Sequence, residues 1–181
     1  MTKLLIAFHS HDGQTAKVAD RVAARLRASD IEVDDLPIAA APPPDRYDAV
    51  VVGDSIRLGR HSRTLVRYLR RHHEVLTRKP VALFQVSMTS ANTDEAHAAE
   101  AQRLVEQLVG RADLRPRVVA SFAGALQYTS YGWLTRRVMR SIARREGNAT
   151  DTTRDHEYTD WAAVDRFADD VEAMTTAVGT S

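Results

Sequence analysis

Five short apolar runs, each followed by a longer segment of helical periodicity, limit what this chain can fold into more than any other feature. The runs are residues 3–8, 32–36, 49–53, 81–87 and 118–123. The central one, Ala-Val-Val-Val-Gly at 49–53, has no polar alternation, as expected of a strand covered on both faces. Residues 15–29 place Val18, Ala19, Val22 and Leu26 at three- and four-residue spacing, which predicts a helix. Residues 62–73 predict a second helix, with Leu65, Val66 and Leu69 inward and the arginines outward. A third covers 92–109, opened by the capping residue Asn92 and closed near Gly110. Residues 132–145 and 160–178 also read as helical. Pro42-Pro43-Pro44 marks a loop, and Pro80 a stop before the fourth run. Strands that alternate with helices pair in parallel under right-handed crossovers. The expected fold is α/β, a doubly wound five-stranded parallel sheet of order 2-1-3-4-5.

The length of 181 residues suits one domain, residues 1–178, with an insertion at about 124–159 before the last helix. Connections in compact domains are mostly about 4–6 residues, so a longer one is often functional. The chain has no cysteine, which excludes disulfides, iron–sulfur ligation and thiol catalysis. The apolar run at 3–8 is too short for a signal peptide, and no stretch approaches the roughly 20 apolar residues of a membrane span. The net charge of +1 conceals an uneven distribution. Residues 57–79 hold eight basic side chains against Glu74 alone, and 131–145 hold five arginines and no acid. Residues 151–172 hold eight acids and two arginines. Basic faces of this kind meet an anionic partner or are balanced by acids in three dimensions.

The strongest local motif is Phe8-His9-Ser10-His11-Asp12-Gly13-Gln14-Thr15, between the first strand and the first helix. A helix N-terminus presents unpaired N–H groups and the positive end of the dipole, so it binds anions without a lysine. Gly13 permits a tight turn and close approach to a phosphate, while Ser10, Gln14 and Thr15 supply hydrogen-bond donors. The plainer reading is a strand–helix turn capped by Thr15 or Asp12. The chain lacks both Gly-x-x-x-x-Gly-Lys and Gly-x-Gly-x-x-Gly, which argues against a nucleoside triphosphatase and a dinucleotide fold. Ser10-x-x-Gly13-x-Thr15 resembles the FMN-phosphate loop of flavodoxins. Asp12 stands where a hydroxyl residue is usual, and its carboxylate is expected to point away or cap the helix. His9 and His11 flank the loop and add positive charge when protonated.

Further pieces occur in register: Gly53-Asp54-Ser55-Ile56-Arg57-Leu58-Gly59, Ala123-Gly124-Ala125-Leu126-Gln127-Tyr128, Thr150-Asp151-Thr152 and Tyr158-Thr159-Asp160-Trp161. With Asp12-Gly13-Gln14-Thr15 they resemble the menaquinone-dependent protoporphyrinogen IX dehydrogenase family of bacteria, over nearly the whole chain. The resemblance implies a flavodoxin fold, FMN, and oxidation of a porphyrinogen with a membrane quinone as acceptor, in haem biosynthesis. It also implies a cytoplasmic protein lying peripherally on the inner face of the cell membrane. The sequence departs from the family at Thr89-Ser90-Ala91-Asn92-Thr93-Asp94-Glu95, where a basic, proline-containing loop is usual.

In a doubly wound sheet the ligand sits at the carboxyl ends of the strands. Ser10, His11, Asp12, Gly13, Gln14 and Thr15 are then expected at the phosphate. Ser55, Ile56, Arg57 and Gly59 are expected on one side of the isoalloxazine, and Ser87, Met88 and Thr89 on the other. Gly124, Ala125 and Leu126 complete the cofactor site, and Tyr128 is the aromatic candidate for stacking. The redox chemistry belongs to the flavin, and no catalytic acid, base or metal cluster is assigned. His72-His73 reads as solvent-exposed rather than as a metal site. On the helix at 131–145, Arg136, Arg137, Arg140 and Arg144 share a face with Trp133, a pattern suited to porphyrin propionates or an anionic membrane. No nucleic-acid partner is expected, because the charge is nearly neutral and no reading motif is present. The alternatives are a flavodoxin-type electron carrier, an FMN-dependent quinone reductase without porphyrinogen activity, and a flavodoxin-like protein that has lost its flavin. Carriers are typically strongly acidic, whereas the pI here is near 8.2.

Overall fold

The structure, a computed structural model, describes residues 1–87, 95–126 and 156–177. Its main sheet is formed by β1 (Lys3–His9), β2 (Glu32–Pro37), β3 (Ala49–Ser55), β4 (Val81–Ser87) and β5 (Val118–Ala123). The order is β2-β1-β3-β4-β5 and every pair is parallel, as the alternation of runs predicts. The helices are α1 (Gln14–Ala28), α2 (Arg63–Arg71), α3 (His73–Leu76), α4 (Glu95–Ala112) and α5 (Trp161–Thr176). A short antiparallel pair, β6 (Ala125–Leu126) with β7 (His156–Glu157), lies beyond the end of β5.

Successive strand residues point to opposite faces, which divides the core in two. Leu4, Ile6, Phe8, Val51, Phe84 and Phe122 pack with Val22 of α1 and Phe167 of α5. Leu5, Ala7, Val50, Val52 and Leu83 pack with Leu65 and Leu69 of α2 and Leu108 of α4. Both faces of β1, β3 and β4 are therefore apolar. Phe84, Phe122 and Phe167 meet at centroid distances of 5.8–6.1 Å. Gly53 makes room for this cluster, because a Cβ there would lie 2.2 Å from Phe84 Cζ.

Several boundaries differ from the sequence expectation. The helix expected over 62–73 breaks at His72, and the last turn becomes α3. Tyr68 rather than Val66 completes its buried face. Gly110 does not end α4, which continues to Ala112 and stops where Asp113 turns to φ +47. His72 and His73 are half-buried rather than exposed, His72 against the Tyr68 ring and His73 beside Asp113. Asn92 and the helix expected over 132–145 lie outside the described residues.

Candidate functional site

The first helix begins without the side-chain cap that most helices use. Gly13 occupies the N-cap at φ 86 and ψ −20, left-handed backbone that residues with a Cβ rarely adopt, and no side chain caps it. Neither Asp12 nor Thr15 takes that role. Ser10 Oγ accepts from the Ala16 N–H at 3.4 Å, and the first helical bond runs from Lys17 N–H to the Gly13 carbonyl at 3.1 Å. The N–H groups of Gly13, Gln14 and Thr15 have no intrahelical acceptor, and the first turn carries no acid. Gln14 and Thr15 are buried. The Gln14 amide donates to Thr159 Oγ1 at 2.8 Å, and that hydroxyl donates to the Ala123 carbonyl at 2.7 Å. Among the described residues no donor reaches the buried Gln14 Oε1.

The ends of β3, β4 and β5 form the rest of the rim. Beyond Ser55, the Ile56 N–H donates to the Val86 carbonyl at 2.8 Å. Arg57 and Arg60 then exchange backbone hydrogen bonds across Leu58 (φ 50) and Gly59 (φ 65). Positive φ at both central positions makes this a type I′ turn. The Gly124 N–H donates to the Ser87 carbonyl at 3.0 Å, and the Tyr158 N–H to the Gly124 carbonyl at 3.2 Å. The resulting cleft is lined by Asp12, Gln14, Thr15, Ser55, Ile56, Val86, Ser87 and Gly124.

Seven of the residues expected at a cofactor therefore border one cleft, with Ser10 and Gly13 shaping its helix end. Asp12 borders the cleft rather than capping α1. His11 is exposed on the loop. Arg57 is exposed in the turn, and Gly59 serves the turn rather than a close contact: the nearest atom to a Cβ there would be Glu100 Oε1, 3.7 Å away. Ala125 and Leu126 form β6. Met88, Thr89, Tyr128, Trp133, Arg136, Arg137, Arg140 and Arg144 lie outside the described residues.

Sequence reasoning missed the group under the turn. Asp54 is fully buried. Its Oδ2 accepts from the Ser62 N–H at 2.8 Å and faces His61 Nδ1 at 2.9 Å, while its Oδ1 lies 3.4 Å from His9 Nδ1. His61 Nε2 faces the Leu104 carbonyl of α4 at 3.2 Å. One carboxylate thus ties the end of β3 to the start of α2 and, through His61, to α4, while Asp54 Oδ1 and His9 Nδ1 make no hydrogen bond among the described residues. An acid directly after Val-Val-Gly in an otherwise apolar strand is the signal that marks it.

A doubly wound sheet of this order, with an open helix N-terminus after its first strand, defines a protein of the flavodoxin class. The flavodoxin-domain family profile matches residues 5–153. In solved structures, oxidised Flavodoxin 1 from Bacillus cereus aligns with TM-score 0.56 at 16% identity, covering 97% of this chain and 98% of that one. A flavodoxin from the domain Archaea aligns with TM-score 0.56 at 13% identity, over 97% of this chain and 99% of that one. Among curated proteins, the protoporphyrinogen IX dehydrogenase (quinone) of Leishmania major is 32% identical, over 97% of this chain and 77% of its own length. Its namesake from Escherichia coli K12 is 31% identical over 96% of each chain. The chain belongs to the flavodoxin-domain family and, within it, to the group of these dehydrogenases.

Proposed function

We propose that the chain binds FMN in the cleft and oxidises protoporphyrinogen IX, or a related porphyrinogen, to the porphyrin. Electrons pass to a membrane quinone, in haem biosynthesis. The observation that carries the cofactor is the uncapped start of α1: a left-handed Gly13, no side-chain cap among the described residues and no acid in the first turn. Such an end suits a phosphate dianion. The orphaned Gln14 Oε1 is a second point of fit, since a buried acceptor without a donor is relieved by a ligand hydroxyl, and the ribityl chain of FMN carries several. The substrate and the acceptor follow from the names of the relatives, which align over almost the full chain.

When bound, the flavin supplies hydride acceptance and onward electron transfer. The protein's part is to hold and orient it. Ser10, Gly13, Gln14 and Thr15 take the phosphate end. The 55–59 loop with Ser87 and Gly124 frames the ring, and Met88, Thr89, Ala125, Leu126 and Tyr128 complete the set. The buried Asp54 fixes the base of that loop through Ser62 and His61. Among the described residues no helix is long and apolar enough to cross a membrane. Trp133, Arg136, Arg137, Arg140 and Arg144 are proposed to contact substrate or anionic lipid.

The test is anaerobic oxidation of reduced protoporphyrinogen by the FMN-loaded protein with a quinone supplied. Porphyrin fluorescence should rise only when quinone is present. A protein that binds FMN but forms no porphyrin would instead be a carrier or a quinone reductase.

A further inference from the structure

Four polar side chains lie in one row across the main sheet. His9 is paired in register with Asp54, Asp54 with Gln85, and Gln85 with Ser121, so β1, β3, β4 and β5 each contribute one. The row faces α2 and α4, because Ala7, Val52 and Leu83, two residues earlier on their strands, belong to the core on that side. Three of its atoms are buried and make no hydrogen bond among the described residues: His9 Nδ1, Asp54 Oδ1 and Gln85 Oε1. The first two face each other at 3.4 Å. The Gln85 amide is committed elsewhere, donating to the Ala101 carbonyl of α4 and to Ser121 Oγ, each at 2.8 Å. Asp54 Oδ2 is occupied by the Ser62 N–H and His61. A fully buried carboxylate therefore turns its remaining oxygen toward a histidine nitrogen. That nitrogen bonds a carboxylate only while it carries a proton, and the bond is then charge-assisted. The rest of the ring is reachable, since the His9 side chain is 34% exposed. His9 directly precedes Ser10, and Asp54 directly precedes Ser55, which lines the cleft. The titratable and charged groups on the surrounding elements are His61 at the start of α2, His11 and Asp12 on the loop of His9, Arg57 and Arg60 of the turn, and Glu100 of α4 beside Gly59.

We propose that His9, oriented by Asp54, holds a proton for the cleft, taking the one that the flavin does not and releasing it when the quinone is reduced. The balance of the reaction calls for such a group. Removing two hydrogens from a porphyrinogen sends two electrons and one proton to the flavin and leaves a second proton for a base. Reduction of the quinone consumes two electrons and two protons, so the held proton departs with the electrons and nothing is left over. Histidine is the side chain suited to take and return a proton near neutral pH. Asp54 fixes the ring and neutralises the charge it then bears, as a buried carboxylate does for a catalytic imidazole. The proposal rests on the reading of FMN and a porphyrinogen, and its test separates the two.

The experiment uses the FMN-loaded full chain. Nitrogen NMR spectra of the histidine rings are recorded with the flavin oxidised and after anaerobic photoreduction, the His9 signal being assigned from its loss in His9→Ala. His9 Nδ1 should move to the protonated position on reduction, and Asp54→Asn should diminish that change. In porphyrin formation with saturating quinone, His9→Ala should lower kcat about 100-fold with KM little changed. Added imidazole should restore part of the loss, because the half-exposed site admits it. Asp54→Asn should also lower kcat, without rescue by imidazole. Both variants should keep FMN affinity close to that of wild type. A His9 signal indifferent to flavin reduction would overturn the proposal, as would wild-type turnover in His9→Ala or a loss that imidazole leaves untouched. A large loss of FMN affinity in His9→Ala, with full turnover at saturating FMN, would also overturn it, assigning the ring to the phosphate. Protein that binds FMN and protonates His9 on photoreduction but forms no porphyrin would defeat the proposed substrate and leave the role of His9 toward the flavin standing.

Discussion

At the scale of single residues, a few positions carry the site for identifiable physical reasons. Gly13 combines a left-handed backbone with the helix end where the phosphate is proposed to sit. Gly13→Val should abolish FMN binding, read as loss of flavin-fluorescence quenching, because a β-branched residue is strained at positive φ and fills the approach. Asp54→Ala leaves the Ser62 N–H and the His61 ring without their acceptor. It should cost about 3 kcal/mol in urea denaturation, and Asp54→Asn, which keeps an oxygen there, distinctly less. His72 adds a pH dependence. Burial first, and then Arg71, push its imidazole below the ordinary 6.5. The unfolded chain therefore takes the proton more readily than the native one. The resulting stability is fully present above the unfolded value and is lost as pH falls through the lowered native one. The urea midpoint should decline between about pH 7 and 5, and His72→Gln should flatten part of that slope.

At the scale of elements, the two helix layers are held differently. The α1–α5 layer combines an aromatic cluster with a line of exposed ion pairs. Arg21 is held to Asp165 and Arg25 to Asp169, each at 2.8 Å for the shorter bond. The hydrogen bond and charge of Arg21 hold the Asp165 carboxyl below the usual range. Half-exposed pairs are well screened, so Arg21→Gln with Arg25→Gln should cost no more than about 1–2 kcal/mol in total, a loss that shrinks in high salt. The apolar contacts of Val22, Phe167 and their neighbours do most of the fastening. The α2–α4 layer has its own apolar core from Leu65, Leu69 and Leu108, but its rim is cationic and unpaired among the described residues.

At the scale of the whole molecule, the cleft draws on four strand ends and on residues far apart in sequence. Gln14 reaches Thr159, Gly124 reaches Ser87, and Ile56 reaches Val86. A ligand seated there bridges the first and last parts of the chain, so FMN should stabilise the global fold. At 100-fold excess over its dissociation constant the gain is about 2.7 kcal/mol, and the thermal midpoint should climb with FMN concentration. A midpoint that ignores FMN would count against binding in the native state.

The apolar runs and their spacing determine the architecture, because a strand covered on both faces has to be apolar on both, as 49–53 is. Helical segments between such runs leave few right-handed ways to wind the sheet. The turn before α1, where the phosphate is proposed to sit, is equally legible, since its left-handed Gly13 and uncapped helix start are local features. Helix ends are less so: His72 and Asp113 break helices through packing and a positive φ that no spacing rule marks. An acid after Val-Val-Gly marks Asp54 in the sequence, but its surroundings beside His9 and His61 were decided by tertiary structure. A carboxylate can stay in the interior only where separate elements bring it donors, and here those are the Ser62 N–H at the start of α2 and the His61 ring, itself braced on α4. The same holds for charge. The sequence shows arginines clustered at 57–79 and 131–145, but only the packing of helices on a sheet determines which arginines meet a carboxylate, as on α1, and which, as on α2, meet none among the described residues.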